Sequence, residues 1–125
     1  MLPRQLSREL LTEIRNNPLM RLIGPVSYFD MLLLEKNARL IITDSGGVQK
    51  ESYFFRKPCI VLRSETEWKE LVNVKAAMLA DADEMKINEA FQYFYDHPLK
   101  EFPSFYGDGN SSNFICHEIC TFLFP

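Results

Sequence analysis

A chain of 125 residues is long enough for one folded domain with its own hydrophobic core, and two independent domains are not expected in it. Its 46% apolar and 25% charged content is that of a globular protein, and a formal charge of -3 does not provide the clustered Lys and Arg that neutralise nucleic-acid phosphates. Met1-Leu2-Pro3-Arg4 turns polar at once and no apolar run approaches membrane-spanning length, so neither nucleic acid nor membrane is an expected partner and a cytoplasmic location is the default.

Leu6, Leu10, Leu11 and Ile14 form one face of a helix that opens just after Pro3 and is stopped by Asn16-Asn17-Pro18. A short strand is expected at about 20–23, before Gly24-Pro25. Residues 28–36 read as a second helix, apolar on most sides and therefore expected to be well buried. Residues 39–43 follow as a β-branched strand without alternation, the pattern of a central parallel strand.

Gly46-Gly47 opens a third helix running towards Phe55, Lys57-Pro58 ends it, and residues 59–62 supply another continuous apolar strand. After the polar stretch 63–70, a weaker strand is expected at 76–79. Ile87, Ala90, Phe91 and Phe94 then mark the stripe of a further helix, closed by Asp96-His97-Pro98. A loop, Tyr106-Gly107-Asp108-Gly109, precedes a last helix with Ile115, Ile119, Phe122 and Leu123 on one face. Strands alternating with helices over short connections predict an α/β fold, a doubly wound, Rossmann-like parallel sheet covered on both faces. Because the order begins with a helix, earlier strands are expected in a missing upstream segment.

The stretch that carries chemistry is Leu40-Ile41-Ile42-Thr43-Asp44-Ser45-Gly46-Gly47-Val48-Gln49-Lys50-Glu51, a buried strand running into a glycine pair at a helix start. Ligands of such sheets bind at the strand carboxyl ends. Glycines let the backbone approach a ligand, the free N–H groups of a first helical turn attract phosphate, and Ser45 adds a hydroxyl. Glu51, four residues beyond Gly47, projects from the same face one turn deeper, where its oxygens suit a ribose diol. The structural alternative is that Gly46 caps the helix, Gln49 completes a capping box and Glu51 merely favours the helix dipole. Spacing alone leaves both readings open.

Four ordered blocks, Thr43-Asp44-Ser45-Gly46-Gly47-Val48-Gln49-Lys50-Glu51, Lys57-Pro58-Cys59-Ile60-Val61-Leu62-Arg63, Thr66-Glu67-Trp68 and Tyr106-Gly107-Asp108-Gly109, cover nearly the whole chain. Together they resemble the non-hydrolysing UDP-N-acetylglucosamine 2-epimerases. The resemblance implies part of the carboxyl-terminal, Rossmann-like domain of a two-domain, GT-B-type fold, with UDP or a UDP-sugar held between the halves. By position, Ser45, Gly46 and Gly47 would hold the diphosphate and Glu51 the ribose hydroxyls, Met31 would lie near uracil, and Arg63, Thr66 and Glu67 would border the cleft. Two of these keep a structural alternative: Arg63 as a surface ion pair, and Met31 as a core residue.

The implied reaction converts UDP-N-acetylglucosamine to UDP-N-acetylmannosamine by elimination of UDP and re-addition with inversion at the sugar's second carbon. This chain's share would be electrostatic, since donors at a helix amino end stabilise charge on the departing diphosphate. The family supplies its proton-transfer groups mainly from the amino-terminal domain, so no catalytic residue is assigned here, and the isolated chain is expected to lack turnover. The missing amino-terminal domain is the expected partner, a homodimer of the full-length form is left open, and no cofactor is expected.

Some positions depart from the common family pattern. Lys50-Glu51 replaces an acidic pair, Thr66-Glu67-Trp68-Lys69-Glu70 lacks the usual Arg, Leu2 stands where relatives tend to have His, and a Gly expected near Val74-Lys75 is absent. The Trp68 version, with Tyr53-Phe54-Phe55 and Pro58-Cys59, resembles a subgroup that includes 2-epimerases acting on UDP-2,3-diacetamido-2,3-dideoxyglucuronate. A non-catalytic sugar-nucleotide binding module is a further alternative; a GT-B glycosyltransferase or hydrolysing epimerase is disfavoured by Thr66-Glu67-Trp68.

Other candidates read as structural. Cys59, Cys116 and Cys120 are an odd count, expected to be buried small hydrophobes rather than a disulfide or metal set. His97 and His117 lack partners at ligand spacing, and no metal is assigned. Asp81, Asp83 and Glu84 precede a helix and read as capping groups. Trp68 is either a lid over the cleft or a contact with the missing domain, and Asp108 reads first as a turn residue.

Overall fold

The computed structural model describes residues 7–124. Leu2, Pro3 and Leu6, to which the sequence reading gave roles, lie outside them. Contacts divide the chain into two units, Met1–Leu34 and Glu35–Pro125.

In the first unit, α1 (Arg8–Asn16) starts at Ser7, whose hydroxyl accepts from Leu10 N–H and replaces one orphaned donor of the first turn. The strand expected at 20–23 is not formed. A strand needs a neighbour to satisfy its backbone, and no described segment pairs with these residues, whose large side chains are exposed. The helix α2 (Tyr28–Asn37) forms as predicted, but its expected burial does not follow. Phe29, Leu33 and Leu34 are exposed, and Glu35, its acid, is the buried side chain. An apolar sequence on most sides of a helix gives no single face to bury, so burial falls where a neighbour happens to pack.

In the second unit, β1 (Ile41–Thr43), β2 (Cys59–Val61) and β3 (Ala77–Leu79) form a parallel sheet in the order β1-β2-β3. Ile41 pairs with Cys59 and Cys59 with Ala77, so chemically similar positions stand in register. Between them run α3 (Gly46–Phe54) and α4 (Lys69–Asn73), the latter inside the stretch that the sequence gave only as polar. Tyr53 and Leu71 from these helices meet Ile41, Cys59 and Val61 on one face of the sheet. On the other face, Ala90 and Phe94 of α5 (Glu84–Asp96) pack on Ile60 and Ala80. Adjacent residues of β2 thus enter different cores, which explains the absence of alternation: a strand covered on both sides is apolar throughout. The α/β sheet with helices on both faces is the predicted fold class.

Asp83 caps α5, accepting from Met85 and Lys86 N–H, as the acidic cluster suggested. Arg56 and Lys75 take left-handed backbone angles, φ 56 in each case. Each follows a helix whose last carbonyls are closed by paired bonds: Arg56 N–H to Tyr53 and Lys57 N–H to Ser52 after α3, Lys75 N–H to Val72 and Ala76 N–H to Leu71 after α4. The turn that favours glycine near Val74-Lys75 is therefore built with a lysine.

The last helix, α6 (Ser111–Leu123), forms as predicted but has no buried residue, so Cys116 and Cys120 are exposed and only Cys59 is the buried small hydrophobe expected of all three. The apolar stripe fixes the helix's polarity pattern, whereas burial needs a partner surface. Among the described residues no helix is long and apolar enough to cross a membrane.

Candidate functional site

The carboxyl ends of β1 and β2 deliver Asp44-Ser45 and Leu62-Arg63 to one edge of the sheet, held together by Leu62 N–H donating to Thr43 C=O at 2.8 Å. Ser45 is extended, φ -81 and ψ 125, and its hydroxyl accepts from Val48 N–H at 3.4 Å, making it the N-cap of α3. The capping alternative is thus corrected: Ser45 rather than Gly46 is the cap. Gln49 completes no capping box, because it lies one position too far along the helix and points inward. Gly46 and Gly47 are the first helical residues, where amides have no carbonyl a turn earlier to bond.

Arg63 and Glu67 close over this helix end. Arg63 Nη1 pairs with Glu67 Oε2 at 3.1 Å, and a Cβ on Gly46 would run into Glu67 Oε1 and stand 3.8 Å from Arg63 Nη1. Glu67 thus lays its carboxylate on the positive end of α3, where the helix dipole favours it. The pair is half exposed, and an ion pair that open to water adds little to stability.

Thr66 serves this edge from within. It is buried, donates its hydroxyl to Gln49 Oε1 at 2.6 Å and accepts from Trp68 N–H at 3.1 Å. Trp68 Nε1–H donates in turn to Gly46 C=O at 2.8 Å, so this side chain locks the loop to the glycine pair. Its face is covered by Lys50 Nζ, 4.8 Å from the Trp68 ring and 4.5 Å from that of Tyr106. Tyr106 OH donates to Glu70 Oε1 at 2.8 Å; burial first, then this acid, raises the phenol's pKa, while a backbone bond first and the phenol second lower that of Glu70. The tyrosine of the Tyr106-Gly107-Asp108-Gly109 block is thereby tied to α4 through Glu70 and to α3 through Lys50. Asp108 itself accepts from both nitrogens of Asn110 at 3.0 Å, the turn role first assigned to it, and these bonds lower its pKa.

Glu51 sits on α3 one turn beyond Gly47, partly exposed, and faces Glu35. Glu35 is 3% exposed and Gln49 0% exposed; the sequence gave Glu35 no role and Gln49 only that of a capping group. Burial removes Glu35 from water and, with the charge and the hydrogen-bonding demand of Glu51, raises its pKa from 4.5 to about 6. The structure therefore brings together Ser45, Gly46, Gly47, Arg63, Thr66 and Glu67 at one edge, with Glu51 one turn along the same helix. Met31 belongs to the other unit, on α2, and is exposed.

His97 bonds the Tyr93 carbonyl through Nδ1 at 3.0 Å and stacks on the Tyr93 ring, a structural role. A cleft of about 490 Å³ opens at the opposite, amino ends of β1 and β2, lined by Arg39, Arg56, Lys57, Phe91 and Tyr95 among others. None of the sequence-derived site residues borders it. Chemistry favours the carboxyl edge over this hollow, because helix amino ends and strand carboxyl ends converge there.

A family profile described as UDP-N-acetylglucosamine 2-epimerase matches residues 2–120. A UDP-N-acetylglucosamine 2-epimerase homolog of Methanococcus maripaludis is 44% identical over 104 residues, 82% of this chain and 29% of the relative. The UDP-2,3-diacetamido-2,3-dideoxy-D-glucuronate 2-epimerase of Pseudomonas aeruginosa is 40% identical over 99 residues, 79% of this chain and 28% of that protein. The structure of UDP-GlcNAc 2-epimerase from Methanocaldococcus jannaschii superposes with a TM-score of 0.80 at 35% identity, covering 90% of this chain and 31% of that one. The chain therefore spans about 30% of the length of these relatives. With a profile match along almost its entire length and a sheet and helices that superpose on a solved member, the chain belongs to the UDP-N-acetylglucosamine 2-epimerase family.

Proposed function

We propose that this chain is the UDP-binding, carboxyl-terminal part of a nucleotide-sugar 2-epimerase, and that residues 1–125 belong to a single domain of that enzyme. The observation that carries the reading is the meeting of a serine-capped, glycine-opened helix end with Arg63 at the carboxyl edge of a parallel sheet. Unpaired amides, a hydroxyl and a guanidinium are the donors a diphosphate needs, and relatives of known structure have been solved with UDP and UDP-GlcNAc.

In this reading Ser45, Gly46 and Gly47 hold the diphosphate and Glu51 accepts from the ribose hydroxyls. Arg63 exchanges its partner Glu67 for phosphate oxygen. Thr66 contributes from behind, by holding Gln49 and Trp68. During elimination of UDP, negative charge gathers on the departing diphosphate. Preorganised donors at the end of α3 stabilise it, an effect worth roughly 3 kcal/mol per donor. The proton-transfer groups come from the amino-terminal domain, the partner this reading requires.

The substrate is UDP-N-acetylglucosamine. A second reading, UDP-2,3-diacetamido-2,3-dideoxyglucuronate, is favoured by Thr66-Glu67-Trp68 and by the 40% identity to the Pseudomonas aeruginosa enzyme. Product analysis with the amino-terminal domain restored separates the two.

Calorimetric titration of the chain with UDP tests the site. Binding is expected, and Ser45→Ala and Glu51→Ala are each expected to weaken it about tenfold, roughly 1.4 kcal/mol. Absence of binding, or indifference to both substitutions with the fold intact, would refute the assignment.

A further inference from the structure

Trp68, the single tryptophan of the chain, is held at its backbone, at its ring edge and on its ring face. Its backbone N–H donates to Thr66 Oγ1 at 3.1 Å, and its Nε1–H donates to Gly46 C=O at 2.8 Å. Lys50 Nζ stands 4.8 Å from the ring centre, and Tyr106 meets the indole edge-on, with 5.8 Å between centroids and 86° between planes. The same ammonium lies 4.5 Å from the Tyr106 ring, and the Tyr106 hydroxyl is bonded to Glu70 Oε1 at 2.8 Å. A cation over two rings set at right angles attracts both. An indole bonded at its edge and covered on its face is not free to swing as a lid.

The carbonyl that Trp68 grips belongs to the peptide joining Gly46 to Gly47. That peptide is planar and trans, so its C=O and its N–H point in opposite directions, and fixing one fixes the other. The N–H in question is that of Gly47. Among the first amides of α3, that of Val48 is taken by Ser45 Oγ and that of Gln49 by Ser45 C=O, while those of Gly46 and Gly47 have no acceptor among the described residues. A glycine pair at a helix start restrains its own backbone least, so the direction of this donor depends on what holds it from outside. We propose that Trp68 is a positioning residue for the diphosphate: through the Gly46 carbonyl it aims the Gly47 amide, and Lys50, with Tyr106, holds the indole in place. A donor aimed before the ligand arrives needs no reordering when it binds. The inference rests on the proposed function, in which Gly47 is a diphosphate ligand.

The test is titration of the isotope-labelled chain with UDP and with inorganic pyrophosphate, followed by nuclear magnetic resonance at the backbone amides and at the Trp68 Nε1–H. A single tryptophan gives a single indole signal, and a residue that merely stabilises the loop has no reason to respond. In the wild type, the Gly47 amide and the indole are expected to move together along one binding curve with either ligand. Trp68→Phe keeps a ring for Lys50 but removes the N–H donor, and it should weaken both ligands about tenfold. Glu51→Ala, by contrast, should weaken UDP and leave pyrophosphate unaffected. Lys50→Met keeps the stem and removes the cation; it should displace the indole signal and weaken UDP about threefold, and Lys50→Arg should restore both.

If Trp68→Phe does not fold, the benzothiophene analogue of tryptophan, of the same shape but without the N–H, is placed at this position and carries the same expectation. An indole signal that stays in place while the Gly47 amide moves would overturn the positioning role. So would wild-type affinity for UDP without the indole N–H, when Ser45→Ala still weakens it; both results leave the proposed function standing. Should the chain not respond to UDP, or respond without regard to Ser45 and Glu51, the diphosphate reading falls, and the role of Trp68 falls with it.

Discussion

Thr66 Oγ1 is donor to Gln49 and acceptor from Trp68 within one buried relay that ends at the carbonyl of Gly46. Thr66→Val preserves shape but leaves Gln49 and the Trp68 amide without partners, and leaving such groups unmade costs about 2 kcal/mol. Urea unfolding at neutral pH is expected to show that loss. Glu35 yields a prediction with a definite sign. Its folded pKa, about 6, lies above its ordinary 4.5, because burial first, then the charge and hydrogen bonding of Glu51, hold the proton in the folded state. Its favourable contribution is complete below the unfolded value and lost as the pH rises through the folded one. Glu35→Leu should therefore raise stability at about pH 7.5 by roughly 2 kcal/mol relative to its effect at about pH 4. The serine, the glycine pair and the acid a turn later were legible because a strand-to-helix junction fixes their spacing locally. Glu35 and Gln49 were not, since nothing in an apolar run or a helix face says which polar side chain a neighbour will cover.

The helices α3 and α4 end alike, with a left-handed residue and two bonds back to the last turn, yet neither ends in glycine. A side chain in that conformation costs on the order of 1 kcal/mol. Arg56→Gly is expected to raise the unfolding free energy by about that amount, measured by urea or thermal melts. Lys75→Gly should gain less, because the Lys75 ammonium lies 5.2 Å over the Tyr93 ring and would be lost. Elements with strong local signals formed where the sequence put them, with boundaries differing by a residue or two, except that the helix expected to open just after Pro3 starts at Arg8, where Ser7 supplies the cap. The strand expected at 20–23 did not form, since an isolated run of apolar residues is a strand only if another backbone accepts its hydrogen bonds. The helix α4 was missed because it is five residues long and lies within a charged stretch, too short to display a period.

At the scale of the whole molecule, the sheet has helices on both faces, but the apolar residues of α6 remain exposed. Ile119→Glu should leave thermal stability within about 0.5 kcal/mol of the wild type, since it removes no buried contact. The same change at Ile60, which is fully buried, should prevent folding. The class of fold and the strand-to-helix junction at Ser45-Gly46-Gly47 were determined by the sequence itself: continuous apolar strands, glycine at a helix start and turn residues between them act through neighbours a few positions away. Which apolar helices are covered, that Glu67 folds back over Gly46, that Trp68 bonds the glycine carbonyl and that Glu35 is buried were decided by the tertiary structure. Each of these joins residues far apart in the chain or depends on the loss of water around a side chain, and neither distance in space nor desolvation is encoded in local spacing.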